Sequence, residues 1–431
     1  MAALLTTTDG IGPHVLASLR RPPSFRQLEP WQRNQYVVIL TVALAHVAFD
    51  LTQPFIPLYI RTLGVTDLAE ASYWSGLVVG ITPFVGALMG PVWGMVADRY
   101  GRKPMVLRAL LTIGAMQVAM AYVPDIYWLF AARVFMGFFA GFTPAAMALA
   151  ISLGPREKMG QAVGLVQAAQ FIPLAIGPTI GGFISDLYGL RFNFVITGVM
   201  LMVPAILMFF VVQETGFSDP AQRAERAAQR KRGASFRVLA IPGFASALAV
   251  VFLSRFTDRS LPPIIPLYLV EIGTPEMQIA TISGFVVAVG AIAAAISSVL
   301  YGRWAREENT RRLLLMGLVS GAGCSALLAI SANWVQVATL RVILGLLAGG
   351  TMSLAFTMGA RMVPASQSGV TLSVLSSGGQ IGGALSPMLA GVIGQVDLRY
   401  AFLTNAAAYV VALMIIRTRR PQPPSDDGEP G

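Results

Sequence analysis

Phe49-Asp50-Leu51-Thr52-Gln53-Pro54-Phe55-Ile56-Pro57-Leu58-Tyr59 closes an apolar run that begins near Tyr36 and is long enough to cross a bilayer as one helix. Further along, the chain repeats the pattern as Phe256-Thr257-Asp258-Arg259-Ser260-Leu261-Pro262-Pro263-Ile264-Ile265-Pro266-Leu267-Tyr268. Each copy sets one aspartate inside a membrane-length helix, prolines after it, and Pro-Leu-Tyr near the end. An ionisable residue in lipid costs roughly 2.5–3.5 kcal/mol on insertion scales, so it faces a partner or a watery cavity. A chain that bears this cost twice, at matching positions, is built around a path shared by two halves.

Composition agrees with a polytopic membrane protein. The 431 residues are 55% hydrophobic and 12% charged, with mean hydropathy +0.66; soluble chains carry about 25% charged residues. The net charge of +10 calls for no nucleic-acid partner, because the basic residues fall in short loops and tails. A lone Cys324 and two histidines, His14 and His46, exclude a disulfide framework and a metal cluster. No lysine stands in a nucleotide-binding Gly-Lys-Ser/Thr context, and no Gly-x-Ser-x-Gly or metal-ligand set points to an enzyme. No cofactor is expected.

Spanning stretches fall at about 36–60, 71–97, 104–123, 126–152, 160–184 and 193–213, then 242–269, 278–301, 312–331, 334–360, 368–393 and 400–417. The predicted fold is therefore an all-α membrane protein of twelve transmembrane helices in two six-helix halves, residues 36–213 and 242–417. Residues 1–35 are expected to be a cytoplasmic tail before an uncleaved first helix. The interval 214–241, with Arg223, Arg226, Arg230, Lys231 and Arg232, is expected to be a basic cytoplasmic linker, and 418–431 a cytoplasmic tail. The two tails and the loops after even-numbered spans hold 23 of the Lys and Arg residues. The other loops hold only Arg61, Arg191 and Arg399, which predicts that both termini are cytoplasmic.

The duplication extends further. Ser75-Gly76-Leu77-Val78-Val79 returns as Ser283-Gly284-Phe285-Val286-Val287, and Arg133-x3-Gly137-x3-Gly141 as Arg341-x3-Gly345-x3-Gly349. Leu190-Arg191-Phe192 returns as Leu398-Arg399-Tyr400. The offset holds at 208 or 209 residues throughout. Parallel six-helix repeats with a site at their interface are a transporter architecture.

Two motifs carry a family resemblance. Gly94-Met95-Val96-Ala97-Asp98-Arg99-Tyr100-Gly101-Arg102-Lys103, after span 2, resembles the signature loop of the major facilitator superfamily. The resemblance implies that Asp98, Arg99 and Arg102, set by Gly94 and Gly101, form part of a cytoplasmic charge lock between the halves. Gly177-Pro178-Thr179-Ile180-Gly181-Gly182 in span 5 resembles the antiporter motif of the same superfamily, with Pro173 where a glycine is expected. Its plain alternative is close helix packing by Gly177, Gly181 and Gly182 around a bend at Pro178. With the span 4 arginine motif, these features resemble the twelve-helix drug:proton antiporter branch, of the bacterial multidrug exporter type. Gly86, Gly90 and Gly94 form a small-residue face read as helix packing alone.

Arg133 and Arg341 lie about 10–12 Å from the outer ends of their spans, and Asp50 and Asp258 about 16 Å, at ~1.5 Å per residue. Because the resemblance places spans 1, 4, 7 and 10 around a central cavity, Asp50–Arg133 and Asp258–Arg341 are expected as symmetric pairs, static or proton-carrying. Arg255 or Arg259 on its own helix also competes for Asp258, while Asp50 has no such local partner. That makes Asp50 the preferred proton carrier. Phe49, Gln53, Phe139, Gln167, Gln170, Phe171, Phe356 and Gln380 are the expected cavity wall, suited to apolar or cationic ligands.

The resemblance thus implies a proton-driven exporter of small amphipathic or cationic compounds in a bacterial inner membrane. Its expected partners are protons, the small-molecule substrate and the lipid bilayer, and it is expected to act as a monomer. The runner-up is a proton symporter or facilitator for a nutrient such as a sugar.

Overall fold

In the computed structural model, residues 29–155, 158–214, 243–306, 308–361 and 368–418 are described. The tails, nearly all of the 214–241 interval and the side chain of Phe171 lie outside this set. The described residues form twelve spans. Span 1 runs Pro30–Thr52 and resumes at Ile56–Thr62; span 2 is Leu68–Tyr100, span 3 Arg102–Met120. Span 4 is Ile126–Phe138 with Phe142–Leu153, span 5 Met159–Ala168 with Phe171–Tyr188, and span 6 Leu190–Val211. The second half gives span 7 Phe244–Glu271, span 8 Ile279–Trp304, span 9 Thr310–Leu328, span 10 Trp334–Ala348 with Thr351–Arg361, span 11 Ser368–Gly394 and span 12 Leu398–Thr418.

Nine of the described helices are apolar and long enough to cross a membrane by composition alone. The other three are the polar ones. Span 3 carries Arg102, Lys103 and Arg108, span 7 carries Arg255, Asp258 and Arg259, and span 11 is rich in serine and glycine. Around the bundle, Leu88, Phe209, Phe210, Val299 and Met414 point outward. In water such a surface would be a liability; in lipid it is the solvated face.

The sequence repeat becomes a repeat of contacts. Tyr59 of the first Pro-Leu-Tyr donates its hydroxyl to Met120 O at 2.7 Å, holding the end of span 3. Tyr268 of the second donates to Ser331 O at 2.8 Å beyond span 9. A Cβ on Gly137 would lie 2.7 Å from Thr82 O, and one on Gly345 2.6 Å from Gly290 O, so each arginine-motif glycine lets its span cross a neighbour at backbone distance. Spans 4 and 10 then break, at residues 139–141 and 349–350. Gly141 takes φ +107, which a side chain would strain, and span 4 restarts from it.

A broken helix frees carbonyls that lipid cannot satisfy. Here the neighbours take them in matched fashion. Trp93 donates to Phe138 O at 2.7 Å, and Arg108, stacked 3.4 Å over the Trp93 ring, donates to Ala140 O at 3.0 Å. In the second half Tyr301 donates to Leu347 O at 2.7 Å and Ser298 to Gly349 O at 3.2 Å. Trp93 and Tyr301 stand at the repeat offset, so one device occurs twice.

Span 5 differs from the simple expectation. Its helix continues through Pro178, and the interruption falls earlier, at residues 169–170. The small-residue face of span 2 is also only partly packed. Gly86 meets the Ala140 side chain, while Gly90 has nothing within 4 Å.

Candidate transport site

The two halves meet along two seams, spans 5 with 8 and spans 2 with 11. Each seam rests on one glycine set against a proline carbonyl. Gly284 of span 8 lies against Pro178 O of span 5, and Gly76 of span 2 against Pro387 O of span 11. These are the glycines of the Ser-Gly repeat, so that repeat marks where the halves touch. Gly182 adds a contact with the Ala280 backbone, and Gly391 one with Ser72 O at 2.6 Å from a Cβ position. These contacts lie toward the face of the loops after spans 1, 3 and 5, here the opposite face. The face bearing residues 98–103, 211 and 418 is the basic face.

Span 5 presents two glycine surfaces. Pro178 and Gly182, one turn apart, face span 8. Gly177 and Gly181 face span 1: a Cβ on Gly177 would lie 2.6 Å from the Asp50 Cβ, and Gly181 lies against Leu51 O. Asn193 at the start of span 6 ties this junction together, donating to Leu51 O at 2.7 Å, Gly181 O at 3.1 Å and Ser185 Oγ at 2.9 Å.

The intramembrane charges are arranged less symmetrically than their sequence positions suggest. Asp258 and Arg259 are exposed although they sit in mid-span, so they face the space between the halves. Asp258 lies within electrostatic reach of Arg255, Arg259 and Arg341. The Arg341 guanidinium stacks on span 8, where a Cβ at Gly290 would stand 3.1 Å from its Nε. Tyr409 of span 12 joins this group, within reach of both Arg341 and Asp258. It was not singled out in the sequence, where one tyrosine in the middle of an apolar run gives no sign of which way it faces.

In the first half the expected Asp50–Arg133 pair is not formed. Arg133 is completely buried, and its Nε, Nη1 and Nη2 have no hydrogen-bond partner among the described residues. The cation within reach of Asp50, and of His46 one turn earlier, is Arg259 of the other half. Axial depth, the basis of the expected pair, does not fix the azimuth of a side chain around its helix. His46 Nδ1 lies 2.9 Å from Val42 O, and its ring packs beside Phe142 at 5.9 Å.

The remaining candidates scatter. Phe49, Gln53, Phe139 and Phe356 are half-buried, while Gln167 and Gln380 are exposed. Phe139 packs with Trp93 and Phe135 at the span 4 break, and Gln170 donates to Val166 O and Gln167 Oε1 at the span 5 break. Gln117 of span 3, also unremarked in the sequence, is fully buried and donates to Thr52 Oγ1 at 3.0 Å. In the signature loop, Gly101 takes φ +104 and admits the Glu214 carboxylate, which accepts from the backbone N–H of Arg102 and Lys103 at 2.9–3.0 Å. The Arg102 side chain donates to Ala148 O, and Arg99 lies 5.3 Å from the Tyr100 ring. Those contacts stay within the first half.

A helical bundle of two matched halves, with ionisable groups beside open space at mid-membrane and a glycine-packed closure at one face, has the build of a membrane transporter. The chain belongs to the Major Facilitator Superfamily, whose family model matches residues 38–307 and 247–431. It is 30% identical over 318 residues to the multi-drug resistance efflux pump PmrA homolog of Lactococcus lactis, covering 73% of this chain and 76% of that protein. It is 32% identical over 383 residues to the multidrug resistance protein MdtG of Salmonella heidelberg, covering 87% and 92%. Its fold matches a bacterial homolog of the human lysosomal transporter Spinster in an inward-facing, occupied conformation (TM-score 0.74, 17% identity, 91% of this chain and 97% of that one). It also matches a D-xylose–proton symporter (TM-score 0.71, 12% identity, 90% and 98%).

Proposed function

We propose that this transporter is a proton-driven exporter of small amphipathic or cationic compounds that works by alternating access. The observation that carries the reading is the pair of carboxylates, Asp50 and Asp258, held at mid-membrane on matching spans with Arg259 between the halves. A mid-membrane carboxylate that loses its charge on protonation and regains a counter-charge from a bound cation makes the two ligands compete. Competition at one site, with access alternating between faces, couples inward proton flow to outward drug flow. The names of the relatives, a multi-drug resistance efflux pump homolog and a multidrug resistance protein, support the substrate class.

The basic face is the cytoplasmic one in this reading, with the linker 214–241 and both termini on that side. The conformation closed at the opposite face is then open inward. Arg259 tunes Asp50, Arg341 and Tyr409 tune Asp258, and Phe49, Gln53, Phe139, Phe356 and Gln380 contribute to the cavity wall. One chain contains both halves of the path, so a monomer suffices.

The experiment is transport of a fluorescent lipophilic cation into inverted membrane vesicles. An exporter of this kind accumulates the cation only while the vesicle lumen is acidified, and loses it when the pH gradient is collapsed. Accumulation that persists without the gradient contradicts proton coupling, and accumulation driven by an alkaline lumen indicates symport.

A further inference from the structure

The two seams are alike at their centres and differ at their ends. Span 2 caps its own first turn, Asp67 accepting from the Glu70 N–H at 2.9 Å. Span 8 has no such provision: its N-cap residue, Gln278, makes no side-chain cap. The carboxylate that serves span 8 comes from the other half. Asp186 of span 5 accepts from the backbone N–H of Ala280 at 3.2 Å and of Thr281 at 2.7 Å. Asp186 stands one turn beyond Gly182 and two beyond Pro178, on the surface of span 5 that packs against span 8. On the other seam the residue at the repeat offset from Asp186 is Gln395, and the junction there is a neutral hydrogen bond, Ser72 Oγ to Gly391 O at 3.2 Å.

The first N–H groups of a helix have no partner inside it and carry the positive end of its dipole. A carboxylate placed on them makes charge-assisted hydrogen bonds, about twice as strong as neutral ones. A helix ordinarily keeps that cap on its own chain segment, permanently in place. Here it is divided between two bodies that, on the reading proposed above, separate when the opposite face opens. Span 8 therefore has its first turn capped only in the closed state. The glycines at 182 and 284 make the arrangement possible, since a side chain at either would hold the helices apart.

We propose that Asp186 is the latch of the opposite face, closing it by capping span 8 across the interface. The latch biases the resting transporter toward the state open at the basic face, and its release accompanies each opening outward. It rests on alternating access and adds the residue that sets the balance between the two states.

The test uses the full chain in lipid nanodiscs, with Cys324→Ser and spin labels on Tyr188→Cys and Met277→Cys, two exposed sites at the span 5 and span 8 ends of this seam. Pulsed distance measurements read the ratio of closed to open seam across pH and with tetraphenylphosphonium as the probe cation. Asp186→Asn is expected to lower the closed-to-open ratio at least about tenfold, as loss of a charge-assisted pair would. Thr281→Pro attacks the same latch from the other side, deleting a donor at a first-turn position where proline fits a helix. Because the two changes lie on different halves, they do not share a folding defect. They are expected to produce the same shift, and the double variant no more than either alone. Ratios unchanged in both single variants, in a labelled protein that otherwise shows two distances, overturn the latch alone. A single distance under every condition in the protein with Asp186 intact overturns alternating access at this seam, and the latch with it.

Discussion

Gly177 of span 5 and Asp50 of span 1 sit so close that a Cβ on the glycine would lie 2.6 Å from the aspartate's own Cβ and 3.1 Å from its backbone carbon. The antiporter-type motif is therefore packed directly against the carboxylate proposed to carry the proton. Its other face, Pro178 and Gly182, packs against the second half. Gly177→Ala is expected to force spans 1 and 5 apart, because the atoms it meets are largely backbone. Overpacking of this kind costs about 1–3 kcal/mol. Thermal unfolding in detergent should fall by several degrees, and proton-driven transport in vesicles at least about tenfold. Unchanged values in both assays would mean the contact has no mechanical role.

Arg133 supplies a second expectation of opposite sign. A guanidinium whose Nε, Nη1 and Nη2 find no partner among the described residues of the bundle is an uncompensated buried charge. Arg133→Met keeps much of the apolar stem and removes the charge. It is expected to raise the unfolding temperature by a few degrees while abolishing coupled transport, the trade expected where function requires an unfavourable group. A destabilised Arg133→Met protein would show that the guanidinium is satisfied by groups the resting state already holds.

Much of this architecture was legible in the sequence, for a physical reason. Lipid forces spans to announce themselves by length and apolarity, and a duplicated chain repeats whatever its two halves both need. Pro-Leu-Tyr proved to be a tyrosine tied to the neighbouring span, and Ser-Gly a contact with a proline of the other half. What the repeat could not supply was azimuth and partner. Depth along a helix placed Asp50 near Arg133, yet the cation within its reach is Arg259, which belongs to the half the repeat treats as a copy. Asp186 was passed over because it falls just beyond the apolar core of span 5, where an aspartate reads as a loop residue. Trp93 and Tyr301 could have been found, since they stand at the repeat offset, but an aromatic pair at the edge of apolar runs carries little signal until the broken helices beside them are seen.

Those two aromatic residues yield a paired prediction. Trp93→Phe and Tyr301→Phe each delete one hydrogen bond to a carbonyl freed at a helix break. Each is expected to lower stability by about 1 kcal/mol. The sites lie in different halves without shared partners, so the double variant should lose the sum. Denaturant or thermal titration of the three proteins checks this. Strong non-additivity would mean that the two breaks are coupled through the bundle.

The signature loop can be separated from its charges. Gly101→Ala meets both an unfavourable positive φ and the Glu214 carboxylate, 2.9 Å from where its Cβ would stand. Glu214→Gln keeps the shape and removes the charge that caps span 3. Gly101→Ala is expected to cost about 1–3 kcal/mol of stability and Glu214→Gln about 0.5–1 kcal/mol. Equal stability of all three proteins in thermal unfolding would reduce the loop to a simple connection.

The central claim is that Asp50 exchanges its proton for a substrate cation. Its direct measurement is proton release when tetraphenylphosphonium is added to purified protein in weak buffer. The unmodified protein is expected to release protons on binding, Asp50→Asn to bind the cation without releasing them, and Asp258→Asn to release them with an altered pH profile. Release by Asp50→Asn equal to that of the unmodified protein would contradict the account and leave the Asp50–Gly177 junction a packing feature.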